Sequence, residues 1–173
     1  MIKRIILYGL VIFTAFMLQN NFFAGIHIID CTPNLLLIVT FAFGFIRGRV
    51  EGMLIGFFCG LLSDFFFGSN VGFYALIYCA IGYLNGLLGQ LFYNEFLHMP
   101  VLLCIFSDLL YSIYVYVFAF LLKGATKLGH YLLHVVMPEI VYTVIITLIV
   151  YRFLLWLDQK CETLEKRSAK KFV

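Results

Sequence analysis

The stretch GFIRGRVEGMLIGFFCGLLSDFFFGSNVG, residues 44–72, decides the fold. Glycine or aspartate falls on every fourth position: Gly44, Gly48, Gly52, Gly56, Gly60, Asp64, Gly68 and Gly72. In a water-exposed helix each interior glycine would cost about 0.5–1 kcal/mol relative to alanine. In a bilayer, small residues at this spacing instead let two helix backbones approach closely. Positions four apart drift by about 40° per step around an α-helix, so the stripe winds slowly along one face. Asp64 lies on the same grid. An ionisable group at membrane depth is costly enough to mark a functional candidate.

The rest of the chain fits that setting. It is 64% apolar and 12% charged, with a mean hydropathy of +1.03, whereas soluble domains are about 45–50% apolar. The composition describes a polytopic membrane protein with one domain. Residues 1–157 form the transmembrane domain and 158–173 a short charged tail. Lys3 and Arg4 precede an apolar run too long for a signal peptide, and no clear cleavage site follows it, so it reads as a retained first helix. The cysteines (Cys31, Cys59, Cys79, Cys104, Cys161) form no C-x-x-C pair, so neither a disulfide frame nor a zinc site is expected. His130 and His134 have helical metal-ligand spacing, but only Glu139 offers a third ligand nearby, and no metal site is assigned. The chain has no nucleophile–base pair, Walker loop or G-x-G-x-x-G, and so few charged side chains that catalysis, cofactor binding and nucleic-acid binding are not expected.

Six apolar segments predict an all-α bundle of six transmembrane helices: 5–26, 33–46, 52–67, 71–92, 99–122 and 134–157. The second and third are short and joined by Arg47-Gly48-Arg49-Val50-Glu51. A re-entrant hairpin there would leave two arginines near mid-bilayer. Two short spans with snorkelling arginines are the better reading. With the N-terminus inside, Lys3, Arg4, Arg47, Arg49, Arg152, Lys160, Lys166, Arg167, Lys170 and Lys171 all fall on the cytoplasmic side, and Lys123 and Lys127 outside. The inner loop at Tyr93–His98 carries no basic residue. Pro33 and Pro100 suit first helical turns, Pro138 marks a kink or a later start, and Gly68-Ser69-Asn70 reads as a tight outer turn.

The glycines Gly52, Gly56, Gly60, Gly68 and Gly72 admit two readings. One is packing inside the bundle. The other is a groove for a partner's transmembrane helix, in which Gly56→Leu or Gly60→Leu would abolish partner capture and leave insertion intact. Gly82 and Gly86 offer a second seam. Asp64 sits about 18 Å from the inner end of its helix. Gln19, Asn20, Asn21, Asn34 and Glu139 fall at similar depth. This polar set fixes helix register, docks a partner or lines a ligand pocket. Asp108 is near mid-depth with no basic neighbour in sequence and reads as structural, protonated or hydrogen-bonded. Arg47 and Glu51 are four apart and can pair on a helix for a few tenths of a kcal/mol; they read as a topology anchor. Gly124–His134 reads as a surface amphipathic helix, and the basic tail as a lipid anchor.

From Pro33 to Gly86 the chain resembles the MreD family, the rod shape-determining membrane proteins of bacteria. The matching residues are Pro33-Asn34-Leu35-Leu36-Leu37 and Arg47-x-x-x-Glu51-Gly52. They continue with Gly56-x-x-x-Gly60-Leu61-Leu62-x-Asp64-x-x-x-Gly68-x-x-x-Gly72, Ala75-Leu76 and Gly82-Tyr83-x-x-Gly86. Leu18-Gln19 fits as well. Asn34 stands where the family often has aspartate. The resemblance implies a non-enzymatic adaptor of the cell-wall elongation complex in the inner membrane, with both termini cytoplasmic. Its implied partners are MreC, a RodA-type glycosyltransferase and a class B penicillin-binding transpeptidase, with the MreB filament indirect. The family more distantly resembles the substrate-binding membrane subunits of energy-coupling-factor vitamin transporters, which supplies an alternative function. A proton- or lipid-handling transporter would rest on Asp64, Asp108 and Glu139 alone.

Overall fold

A computed structural model describes residues 2–23, 32–67, 71–92, 99–120 and 136–169. Six helices account for nearly all of them: α1 (Ile2–Met17), α2 (Leu35–Arg47), α3 (Arg49–Phe67), α4 (Phe73–Phe92), α5 (Met99–Val115) and α6 (Met137–Ala169). Wider π-helical turns extend α1 over Leu18–Phe23 and α5 over Tyr116–Phe120. α3, α4, α5 and α6 are long and apolar enough to cross a membrane; α1 and α2 are shorter apolar helices.

Contacts between distant residues set the directions. At one end of the bundle, Tyr8 of α1 lies against Phe43, with ring centroids 4.8 Å apart. Arg47 meets Asp158 of α6 at the same end. At the opposite end Phe16 packs on Phe66 at 4.7 Å, and the Tyr114 hydroxyl donates to the Phe73 carbonyl at 3.2 Å. Thus α1, α3 and α5 run one way and α2, α4 and α6 the other. These are the Arg47 end and the Asp64 end below.

α2 is the centre. Every residue from Leu35 to Gly44 is buried, and α1, α3, α4, α5 and α6 all touch it. A helix that is apolar all round belongs inside a bundle. It spans only about 20 Å. Sheathed by protein, it has no need to match the hydrocarbon thickness.

α3 and α4 share the most extensive interface, and the glycines make it. A Cβ at Gly60 would lie 2.6 Å from the Tyr74 carbonyl oxygen and closer still to Ala75 Cα. One at Gly56 would meet the Tyr78 carbonyl, and one at Gly52 would meet Gly82 and Gly44. One at Gly82 would fall on the Gly52 carbonyl, and one at Gly86 on Arg49 Cα at 2.5 Å. Gly52, Gly56 and Gly60 of the first expected seam and Gly82 and Gly86 of the second are therefore the two sides of one contact, whereas a Cβ at Gly72 would meet nothing within 4 Å. α4 of the same chain fills the groove that a partner helix would have used. Lipid tails are as apolar as leucine, so this interface is held by backbone-to-backbone packing.

Two expectations are corrected. Arg47 and Glu51 do not share a helix, because Gly48 (φ +93°) breaks the chain between α2 and α3. Arg47 Nε instead pairs with Asp158 Oδ1 at 2.6 Å, and Glu51 Oε2 accepts from the Tyr8 hydroxyl at 3.5 Å. Pro33 precedes the N-cap Asn34 rather than entering the first turn. α6 runs unbroken through Ala169, and Asp158 is buried. At about 50 Å, α6 exceeds the hydrocarbon core by several turns. Pro100 and Pro138 do lie in the first turns of α5 and α6.

The seam yields a first prediction. Gly60→Leu, which forces a side chain into the α4 backbone, should strip the protein from the membrane fraction or make it aggregate on size-exclusion in detergent. Gly9→Leu should behave as wild type, because nothing lies within 4 Å of a Cβ there. Equal folded yield for the two variants would show that α3 and α4 are not this tightly joined.

Candidate functional site

The N-terminus of α2 begins inside the bundle, where no water can satisfy its first backbone N–H groups. Each has a protein acceptor. Leu35 N donates to the Pro33 carbonyl at 3.1 Å and Ile38 N to the Asn34 carbonyl at 3.1 Å. Leu37 N donates to Asn34 Oδ1 at 3.1 Å, and Leu36 N to Gln19 Oε1 at 3.1 Å. Asn34 also accepts at Oδ1 from the Tyr78 hydroxyl, 2.7 Å away, and its own N–H points to Thr143 Oγ1 at 3.4 Å. A neutral amide thus does the capping. Four helices are tied together at one level.

Asp64 serves α4 in the same way. Although it is 1% exposed, its carboxylate accepts from Gly72 N at 2.9 Å, Tyr74 N at 2.7 Å and Ala75 N at 2.9 Å. Three N–H groups and the positive end of the helix dipole offset the buried charge. Gly72 (φ +104°) supplies the left-handed turn that aims these groups at Asp64. The carboxylate closes the α3–α4 hairpin whose length the glycines pack.

A third polar system lies between α5 and α6. Cys104 Sγ and Thr147 Oγ1 are 3.1 Å apart. Stepping by four along these antiparallel helices places Asp108 level with Thr143, and Ser112 level with Glu139. Thr147 also donates to the Thr143 carbonyl at 2.7 Å. Asn85 of α4 joins the ladder, its Nδ2 reaching Ser107 Oγ and the Ile81 carbonyl, each at 2.8 Å. Asp108 is fully buried, and neither of its oxygens has a hydrogen-bond donor among the described residues. The Ser112 hydroxyl and Asn85 Oδ1 are likewise buried without partners there. Glu139 is half-buried and near enough to Asp108 for the two carboxyls to interact electrostatically.

The single polar cluster expected from sequence is thus resolved into separate sites. Gln19 and Asn34 meet at the start of α2, Asp64 stands at the start of α4, and Asp108 and Glu139 belong to the ladder. Asn21 instead turns back to Met17 Sδ at 3.6 Å on an exposed face. Sequence reading missed Tyr78, Asn85, Thr143 and Thr147. The threonines were legible, because Glu139, Thr143 and Thr147 repeat at spacing four, as do Cys104, Asp108 and Ser112. Gly68, the turn at 68–70, the loop at 93–98, the segment 124–134 with His130 and His134, and the last basic residues, 170–171, lie outside the described residues. Among the residues described, no group of three or more His, Cys, Asp or Glu side chains is arranged to hold a metal ion.

The family model of the rod shape-determining protein MreD matches residues 2–161. The chain belongs to the MreD family. Membership carries a role in determining rod shape and agrees with the membrane-spanning helices. Neither the curated proteins nor the solved structures gave a match.

Two predictions follow from these contacts. Asp64→Ala should cost more than the about 1 kcal/mol of an ordinary N-cap, because several inward-facing donors lose their acceptor together. Asp64→Asn should cost less; chemical or thermal unfolding in detergent would rank them, and equal stabilities would remove the capping role. Arg47→Ala and Asp158→Ala should be non-additive by about 0.5–3 kcal/mol in a double-mutant cycle, with additivity the contrary result.

Proposed function

We propose that this MreD-family chain is a non-enzymatic adaptor of the cell-wall elongation complex in the bacterial inner membrane, with both termini cytoplasmic. In this reading it binds MreC and helps position or regulate a RodA-type glycosyltransferase and a class B penicillin-binding transpeptidase. The MreB filament is reached indirectly. The observation that carries the reading is the family match over residues 2–161. The alternating helix directions support an even number of passes, with α1 beginning and α6 ending at the Arg47 end. Arg49, Arg152 and Lys160 cluster at that end too, as the positive-inside rule asks of the cytoplasmic face.

The geometry also bears on where a partner helix can dock. The glycine seam is filled by α4, so capture falls to an outward face. The face of α3 opposite the seam carries Val50, Leu54, Phe57, Phe58 and Phe65, all exposed. Phe57 and Phe58 meet edge to face at 5.8 Å. Rigid aromatic side chains lose little entropy when covered, which suits them to anchor a single transmembrane helix. The transporter-subunit alternative gains no comparable support. Its outer polar residues Gln19, Asn34 and Asp64 are all engaged in capping helices.

The test is gentle solubilisation of the tagged protein from its native membrane, with mass spectrometry of what co-purifies. MreC and wall synthases should be recovered with wild type and lost with a Leu54→Ala/Phe57→Ala/Phe58→Ala variant of normal abundance. Recovery of transporter ATPases instead would overturn the adaptor reading. Undiminished MreC with the triple variant would move the interface off this face of α3.

A further inference from the structure

We propose that the Asp108–Ser112–Glu139 ladder is a buried binding site for one small monovalent cation, a proton or a sodium ion. The inference starts from a contrast between two buried aspartates. Asp64 receives three backbone N–H groups. Asp108 is 0% exposed, and both its oxygens lack a donor among the described residues. An ionised carboxylate left so far from water is strongly disfavoured, and such groups are neutralised or paired.

Among the described residues, no fixed cation at this level does the pairing. The basic side chains described, Arg47, Arg49, Arg152 and Lys160, belong to the Arg47 end. Among the described residues, the titratable groups nearest the ladder are acidic or neutral: Cys59 from α3, Tyr78 from α4, Cys104 and Tyr111 on α5, and Glu139 and Tyr142 on α6. α2 contributes only Asn34 and Thr40. What the site does offer is oxygen. Asp108 Oδ1 and Oδ2, Ser112 Oγ and Asn85 Oδ1 are buried and unmatched, and Glu139 stands level with Ser112 on the facing helix. Every unmatched atom is able to accept, so the missing element is a positive charge shared among oxygens. A proton or a sodium ion would meet this need.

A ligand that binds only the folded state raises stability with the logarithm of its concentration. The experiment uses the full-length protein in lipid nanodiscs, compared with Asp108→Asn, whose amide needs no added charge. If the cation is a proton, infrared spectra at neutral pH show a protonated-carboxyl band that Asp108→Asn removes. In sodium-free choline buffer the unfolding midpoint then falls by a steady step for each unit rise in pH. If the cation is sodium, that band is missing, and the midpoint rises by a steady step for each tenfold increase in sodium chloride replacing choline chloride. In either case Asp108→Asn loses the dependence, and Ser112→Ala, which keeps both acids, shifts the cation response at least threefold in concentration. Wild type with neither the band nor a sodium response overturns the proposal, a result that needs no variant to fold. So does an Asp108→Asn protein that responds as wild type does.

Discussion

A helix that begins inside a membrane-embedded bundle must find acceptors for its first N–H groups from protein alone. α2 meets this condition by drawing Gln19 from the extension of α1 and by using Asn34 and the carbonyl of Pro33. Asn34 is in turn held by Tyr78 of α4 and Thr143 of α6. The requirement of one helix end therefore fixes the relative heights of three others. Because α2 is enclosed, its length follows its neighbours rather than the bilayer. Non-helical backbone is tolerated at Pro33–Asn34 because protein surrounds it.

The α3–α4 hairpin solves a different problem. Apolar side chains gain little by leaving lipid for protein, so two helices stay together only if packing or hydrogen bonds favour it. Glycine at Gly52, Gly56, Gly60, Gly82 and Gly86 lets main chain lie on main chain. Asp64 then ends the contact by accepting the first N–H groups of α4. The glycines hold the pair along its length, while the carboxylate fixes where α4 starts. A seam used so fully inside the chain is not a surface, and whatever the bundle offers a partner must be read from the faces it leaves bare.

Much of this was legible in the sequence, for identifiable reasons. Helix borders showed because prolines, charges and turn residues interrupt long apolar runs. The glycine grid showed because its spacing matches the helix. The centrality of α2 did not show, since facing lipid and facing protein both call for apolar residues, and periodicity cannot separate them. The partner of Arg47 did not show either. Asp158 is 111 residues away, and Gly48 removed the nearer Glu51 from the same helix. The role of Asp64 was hidden because its acceptors serve backbone N–H groups, which leave no mark in the residue types. Its place on the grid pointed to importance, and the geometry supplied the reason.

The three polar systems differ in how completely they are satisfied. The starts of α2 and α4 are matched group by group. The ladder between α5 and α6 is not. At the Asp64 end α5 is gripped by aromatic contacts such as Tyr114 on Phe73 at 4.9 Å. At mid-depth Asn85 holds Ser107. Toward the Arg47 end Pro100, Leu103 and Cys104 are buried, and a partly open apolar pocket of about 330 Å³ is lined by Phe45, Leu88, Met99, Leu102, Leu103 and Phe106. Of the unmatched atoms in this system, Asp108 Oδ1 and Oδ2 and Ser112 Oγ belong to α5 and Asn85 Oδ1 to α4. Because Asn85 also holds Ser107, a change in the ladder reaches the α2–α3–α4 core through α4.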